Sequence, residues 1–184
     1  MSTGIRVVLY LAFFFSLCFF RSFGESFGLH HFQPYIALFF ALAALQKWRW
    51  VILTVAAYLV STILASKGFQ LWMLSPLCAF ALISLWGTRF SKKSGMPVML
   101  GGSLASAGVF YLVTNTASWL TDGQYAKSFS GLGQALWTGI PGYAPTWTFF
   151  RNDAMATVLF TAIILILSRM TFFKKTELSP VAEI

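Results

Sequence analysis

Residues 154–167 read AMATVLFTAIILIL, and residues 39–45 read FFALAAL. Both runs are apolar on every face, so neither shows the alternation of outward apolar and inward polar residues that a lipid-facing barrel strand requires. A segment that turns apolar side chains in all directions must lie in lipid or in a core. In hydrocarbon only a helix satisfies its own backbone N–H and C=O groups. These stretches therefore predict membrane-crossing helices, and the rest of the chain is read outward from them.

Four further charge-free stretches accompany these two: 7–20, 50–66, 68–88 and 94–121, with the second run widening to 26–46. Six helices of about 20 residues would consume nearly all of the 184 residues and leave no room for a separate soluble domain. Composition agrees, since 58% of residues are hydrophobic and 10% charged, against roughly 45–50% and 25% in soluble domains. The expectation is an all-α integral membrane protein with six transmembrane helices near 4–21, 33–47, 49–66, 70–88, 96–116 and 152–170. The first and last are short. Arg6 and Arg169 can extend them, because their apolar stems lie along the helix while their charged heads reach the interface. Arg6 before an apolar run also resembles a secretory signal, but no small-x-small cleavage site follows near 17–23, so a retained first helix is expected.

The net charge of +8 does not mark a nucleic-acid binder, because the 13 Lys and Arg stand in small groups between apolar runs. They set orientation instead. If the N-terminus is inside, nine of the 13 fall on the inner side (Arg6, Lys47, Arg49, Arg89, Lys92, Lys93, Arg169, Lys174 and Lys175). Arg21, Lys67, Lys127 and Arg151 fall outside. The positive-inside rule then places both termini in the cytoplasm. Trp48, Trp50, Trp72, Trp86 and Trp119 lie near the expected span ends, at headgroup level.

The inner connections are short and basic, whereas the outer side carries 21–33 and the long segment 115–153. A structureless loop of that second length is unusual. Tyr125, Phe129, Leu132, Leu136, Trp137 and Ile140 are spaced for a short amphipathic helix lying on or dipping into the outer leaflet. Function is expected on this face.

Asn115 and Trp119 stand one helical turn apart at the end of the fifth span, hence on one face. They form either a directional amide beside a flat apolar wall for a small ring-shaped ligand, or an interfacial anchor with a helix cap. His30, His31 and Gln33 precede Pro34, which suits the first turn of the second helix. They read as a hydrated loop, as ligand contacts or, with less support, as part of a metal site. The only carboxylate near them in sequence is Glu25, and no second span offers an opposing haem ligand. Asp153 follows Arg151 and Asn152 at the expected start of the last span. The helix macrodipole alone would favour it there; pairing with Arg151 or Lys127, or contact with a ligand amine, are the functional alternatives. Ala12 and Ser16 form a small-xxx-small pair that allows another helix to approach closely.

Catalytic patterns are missing. The sequence has no GxSxG, HExxH or Walker A motif, and five acidic residues in all. Cys18 and Cys78 lie in apolar runs without a CxxC or Cys/His cluster. Neither an enzyme, a cofactor nor a metal is expected, and any ATP-driven step would need other subunits.

The stretch Thr114, Asn115, Thr116, Ala117, Ser118, Trp119, followed by Tyr125, Gly131, Leu132, Ile140, Pro141, Asn152 and Asp153, resembles the C-terminal half of a family of uncharacterised small bacterial membrane proteins. That family is related to the S components, the substrate-binding subunits of energy-coupling factor transporters. His31 to Leu45 resembles the family's early segment. Departures are an Asp after Ser late in the third span, which has no counterpart near Ser61 and Thr62, and a Gly-Asp that is here Asn152-Asp153. The resemblance implies an S-component-like bundle in the bacterial inner membrane, with an outward pocket for a vitamin or metal ion. It further implies a transmembrane coupling subunit and two ATPases as partners, with Ala12 and Ser16 facing the former. On this reading a small neutral or weakly polar solute rests on Asn115, Trp119, Tyr125 and Trp137. His30, His31 and Gln33 close above, and Asp153 is carried over as a matching position. The rival expectation is a non-catalytic accessory subunit, packed in a larger membrane complex and against lipid.

Overall fold

The computed structural model describes residues 11–19 and 31–177, with side chains to residue 169. His30, Arg6, Arg21, Glu25, both termini and the ends of the expected first span lie outside the described residues. So do the side chains of Lys174 and Lys175.

Among the described residues there are seven α-helices and no strand. They are α1 (residues 11–19), α2 (Tyr35–Ala44), α3 (Trp48–Ala65), α4 (Leu74–Gly87), α5 (Met96–Thr121), α6 (Phe129–Leu136) and α7 (Thr146–Glu177). A 3-10 turn, Leu71–Met73, leads into α4. Three helices are long and apolar enough to cross a bilayer: Trp48–Ala65, Met96–Thr121 and Thr146–Arg169. Tyr35–Ala44 and Leu71–Gly87 are apolar but shorter.

The shortness of α2 has a physical reason. Every one of its ten residues is buried, and it packs against α3, α4, α5 and α7. A helix that is hydrophobic all round belongs in the middle of a bundle. At about 15 Å it is half the hydrocarbon thickness, too short to cross a bilayer by itself. Pro34 stands directly before it and accepts the first helical N–H, that of Leu38, at 2.9 Å.

Around α2 the other helices close a core of aromatic rings. Phe39 stacks on Phe80 at 4.3 Å, Phe80 on Phe110 at 5.1 Å, and Tyr58 meets Phe80 edge-on at 5.0 Å. Such offset and edge-to-face pairs add to simple area burial. α1 joins through Leu17, which is buried and whose carbonyl accepts from the Tyr35 hydroxyl at 3.2 Å. Phe13 packs edge-on to Trp50 at 4.9 Å.

Three helix boundaries differ from the sequence expectation by five residues or more, one of them the end of α7, at Glu177 rather than 170. α5 runs to Thr121 rather than 116, and α7 begins at Thr146 rather than 152. The expected outer helix is present as α6, but shorter than the pattern from Tyr125 to Ile140 suggested. Its buried positions are Gly131 and Ala135, while Phe129 is 95% exposed. Ser128 caps it, its hydroxyl accepting from Gly131 N–H at 3.2 Å. A Cβ on Gly131 would stand 1.9 Å from the Ala126 carbonyl oxygen. Small residues therefore seat α6 on its own entry loop and on α5, and the large ring points away.

Candidate functional site

α5 and α7 pack against each other, and the C-terminal half of α5 with the N-terminal part of α7 forms the walls of a cavity of about 480 Å³. α5 contributes Phe110, Tyr111, Thr114, Asn115 and Ser118, a set spaced by one turn and therefore on one face. α7 contributes Thr146, Phe149 and Asp153 by the same rule. Tyr125 and the segment from Gly139 to Ala144 complete the outer rim. A second cavity of about 190 Å³ lies between α2, α3, α4 and α5, lined by Gln33, Tyr35, Tyr58, Phe80 and others. The two share His31, Phe110, Thr114 and Asp153.

The rim is held by side chain to backbone bonds. The Tyr111 hydroxyl donates to the Leu136 carbonyl at the end of α6, and Gln134 Nε2 donates to Gly139 O at 3.0 Å. Gly139 has φ +71, and a Cβ there would fall 2.7 Å from Thr146 Oγ1, so this turn requires glycine. Tyr125 is buried on the cavity side. Burial, and secondarily the charge of Asp122, hold its hydroxyl above the usual tyrosine range, so it remains a neutral hydrogen-bonding group.

His31 marks the junction. Its backbone is left-handed, φ +61, its ring stacks on Phe149 at 4.5 Å, and its Nδ1 lies 3.8 Å from Asp153 Oδ2. Asp153 is only 7% exposed. It stands seven residues into α7, about 10 Å along the helix, well beyond the first turn where a macrodipole would act. Neither basic residue considered as its partner pairs with it. The Arg151 guanidinium donates to Asn152 Oδ1 at 3.3 Å and lies over the Trp147 ring at 5.5 Å. Lys127 donates to the Trp119 and Asp122 carbonyls.

His31, Gln33, Asn115, Tyr125 and Asp153 thus surround the two adjoining cavities. Asn115 Nδ2 donates to Tyr111 O at 2.8 Å, which satisfies half of the amide within the helix. Trp119 and Trp137 do not line either cavity. Trp119 Nε1 donates to Ala126 O at 2.8 Å and ties the loop after α5. Trp137 is 66% exposed, with Trp147 as its ring neighbour at 6.5 Å. Thr114, Tyr111 and Phe149 were not singled out from the sequence. The one-turn spacing of Thr114 to Ser118 was a usable signal, but Phe149 became visible only once α7 began at Thr146. Among the described residues no three His, Cys, Asp or Glu side chains come together to hold a metal. Ala12 and Ser16 are both exposed on α1, the Ser16 hydroxyl donating to Ala12 O at 2.7 Å.

The chain belongs to a family of unknown function (DUF6580), whose profile matches residues 1–178. No curated protein and no solved structure matches it.

Proposed function

We propose that this member of the family is a membrane-embedded capture subunit, similar to an S component, that takes a small solute such as a vitamin from the outer side of a bacterial inner membrane. The single observation that carries the reading is the walled cavity of about 480 Å³ at the outer ends of α5 and α7. That size suits a small organic ligand, and its mixture of aromatic walls with a few polar groups is the usual make-up of such sites. In this reading α1, α2 and Leu71–Gly87 also pass through the membrane, giving six crossings with both termini inside. The solute rests on Asn115 and Tyr125, with His31 and Gln33 towards the inner cavity. A coupling subunit meets α1 at Ala12 and Ser16, and ATPases supply the energy.

The test is equilibrium binding of individual vitamins to the detergent-purified chain, repeated with Asn115→Ala. One vitamin is expected to bind, and loss of the amide is expected to weaken it about tenfold, the worth of one directional hydrogen bond. No binding by any vitamin, or binding indifferent to Asn115, overturns the assignment.

A second reading, an accessory subunit of a larger membrane complex, is favoured by one feature. Leu11, Phe15 and Phe19 are all exposed on a single stripe of α1. Purification from native membranes distinguishes the two, since an ATPase partner supports capture and a different stable complex supports the accessory role.

A further inference from the structure

Asp153 has a position that folding does not account for. A charged carboxylate taken out of water costs several kcal/mol unless it is paired and hydrogen-bonded. Its position in α7 is too deep for the helix terminus to compensate it. Arg151 and Lys127 are committed elsewhere, and the facing His31 Nδ1, at 3.8 Å, is within ion-pair range but too far to hydrogen-bond, and it balances the carboxylate only when protonated. What does face this carboxylate is space, because it lines both cavities. Around that space are the rings of Phe110, Tyr111, Phe149, Tyr58 and Phe80; Phe80 and Phe149 are already stacked on other rings, and aromatic faces turned to such a space attract cations. Ionisable side chains at membrane depth typically face such a cavity and mark the route or seat of a charged species.

We infer that the solute of this site is an organic cation, a protonated amine or a cationic heteroaromatic ring, with Asp153 as its counter-ion and the aromatic walls as its sheath. The inference rests on the capture reading and replaces the neutral or weakly polar solute expected from the sequence with a positively charged one. His31, stacked on Phe149, and Asp153 line both cavities, so the charged end is seated where they adjoin and the body of the solute fills the larger space.

The experiment uses three probes built on one ring that differ in charge: benzylammonium, benzyl alcohol and phenylacetate. Each is titrated at neutral pH into the detergent-purified full chain, with binding read by calorimetry and thermal shift. Benzylammonium is expected to bind best and phenylacetate worst. In Asp153→Asn the ammonium is expected to bind about 10- to 100-fold more weakly, the range set by losing a charge-assisted bond, while benzyl alcohol changes little and so reports an intact fold. Asp153→Glu is expected to keep the order of the probes, and serves if the Asn variant does not fold. Benzyl alcohol binding as well as benzylammonium to the wild type, or an unchanged preference in Asp153→Asn, overturns the charge assignment and leaves the capture reading standing. No binding by any probe likewise overturns the charge assignment, while the capture reading stands or falls separately on the vitamin titration with Asn115→Ala.

Discussion

Replacing Gly87 by Ala tests whether α2 is the buried axis on which the site depends. A Cβ at this position would lie 2.6 Å from the Phe40 carbonyl oxygen and 3.2 Å from Ala43 Cβ. Phe40 and Ala43 are fully buried, in a helix packed by four others, so neither can withdraw as a flexible side chain could. Overpacking of this kind costs about 1–3 kcal/mol, and contact with backbone places it in the upper half of that range. Removing a helical glycine returns up to about 1 kcal/mol, leaving a net loss of about 1–2 kcal/mol. At about 2–4 °C per kcal/mol for a chain of this size, the melting temperature is expected to fall by about 2–8 °C. Gly101→Ala is the matched control. It lies within α5 and a Cβ there meets nothing within 4 Å, so it gains the propensity alone and is expected to melt about 1–4 °C higher. Thermal unfolding of both variants in one detergent is the assay. If Gly87→Ala rises with Gly101→Ala, α4 does not touch α2 as described, and the inner cavity between them loses its walls.

Three other outcomes are expected. The Tyr125 hydroxyl is held up first by burial and second by Asp122, so in an absorbance titration it ionises at higher pH than a peptide tyrosine. Because the folded state then binds the proton more tightly, its contribution to stability is intact below the unfolded value and is lost as pH rises through and above it; Asp122→Asn removes only the smaller part of the elevation, and a fully normal titration in that variant contradicts burial as the main cause. Trp119→Phe deletes the bond to Ala126 O, worth about 0.5–1.5 kcal/mol, and is expected to speed amide hydrogen exchange and proteolytic nicking between α5 and α6, with no change at α2. Reporter tags fused at Met1 and Ile184 are expected on the same, cytoplasmic side, and opposite sides would rule out six crossings.

The all-helical character, with helices apolar and long enough to cross a bilayer, was legible because it depends on composition and on runs apolar in every direction, both local properties. The helix α3 was placed within a residue or two for the same reason, its ends being marked by Lys47 and Lys67. The end of α5 and the start of α7 differ from expectation because polar residues near them mimic an interface. Asn115 seemed to end a span, yet its amide donates to Tyr111 O one turn back, which lets it stay inside a continuous helix. Arg151 and Asn152 read as the start of one, yet they bond to each other, and Arg151 also lies over Trp147, so they decorate a helix already about one and a half turns long. Pro145 was the better signal, since a helix starts readily just after it. His31, Gln33, Asn115, Tyr125 and Asp153 gather around the cavities as grouped from the sequence, but that Trp119 and Trp137 stand apart from them was not legible. That Asn115 faces the cavity while Trp119 ties a loop depends on how the segment after α5 folds back, and no periodicity within α5 distinguishes the two.

The six-residue difference in where α7 begins changes what Asp153 means. Set in a first turn, a carboxylate is stabilised by free N–H groups and needs no ligand. Set about 10 Å along a helix that is apolar enough to span the bilayer, the same carboxylate sits where charge is expensive and where helix termini give it nothing. One and two turns further along the same face come Thr157 and Thr161, both fully buried, whose hydroxyls have no hydrogen-bond partner among the described residues. A stripe of polar groups continuing inward from a cavity wall is a poor way to stabilise a bundle, since each unsatisfied hydroxyl costs about 1–3 kcal/mol. Replacing them by Val, equal in shape, should therefore leave the fold as stable or more so. A clear loss of stability in Thr157→Val or Thr161→Val would instead make the stripe structural, and would remove the ground for treating Asp153 as the outermost member of a functional one.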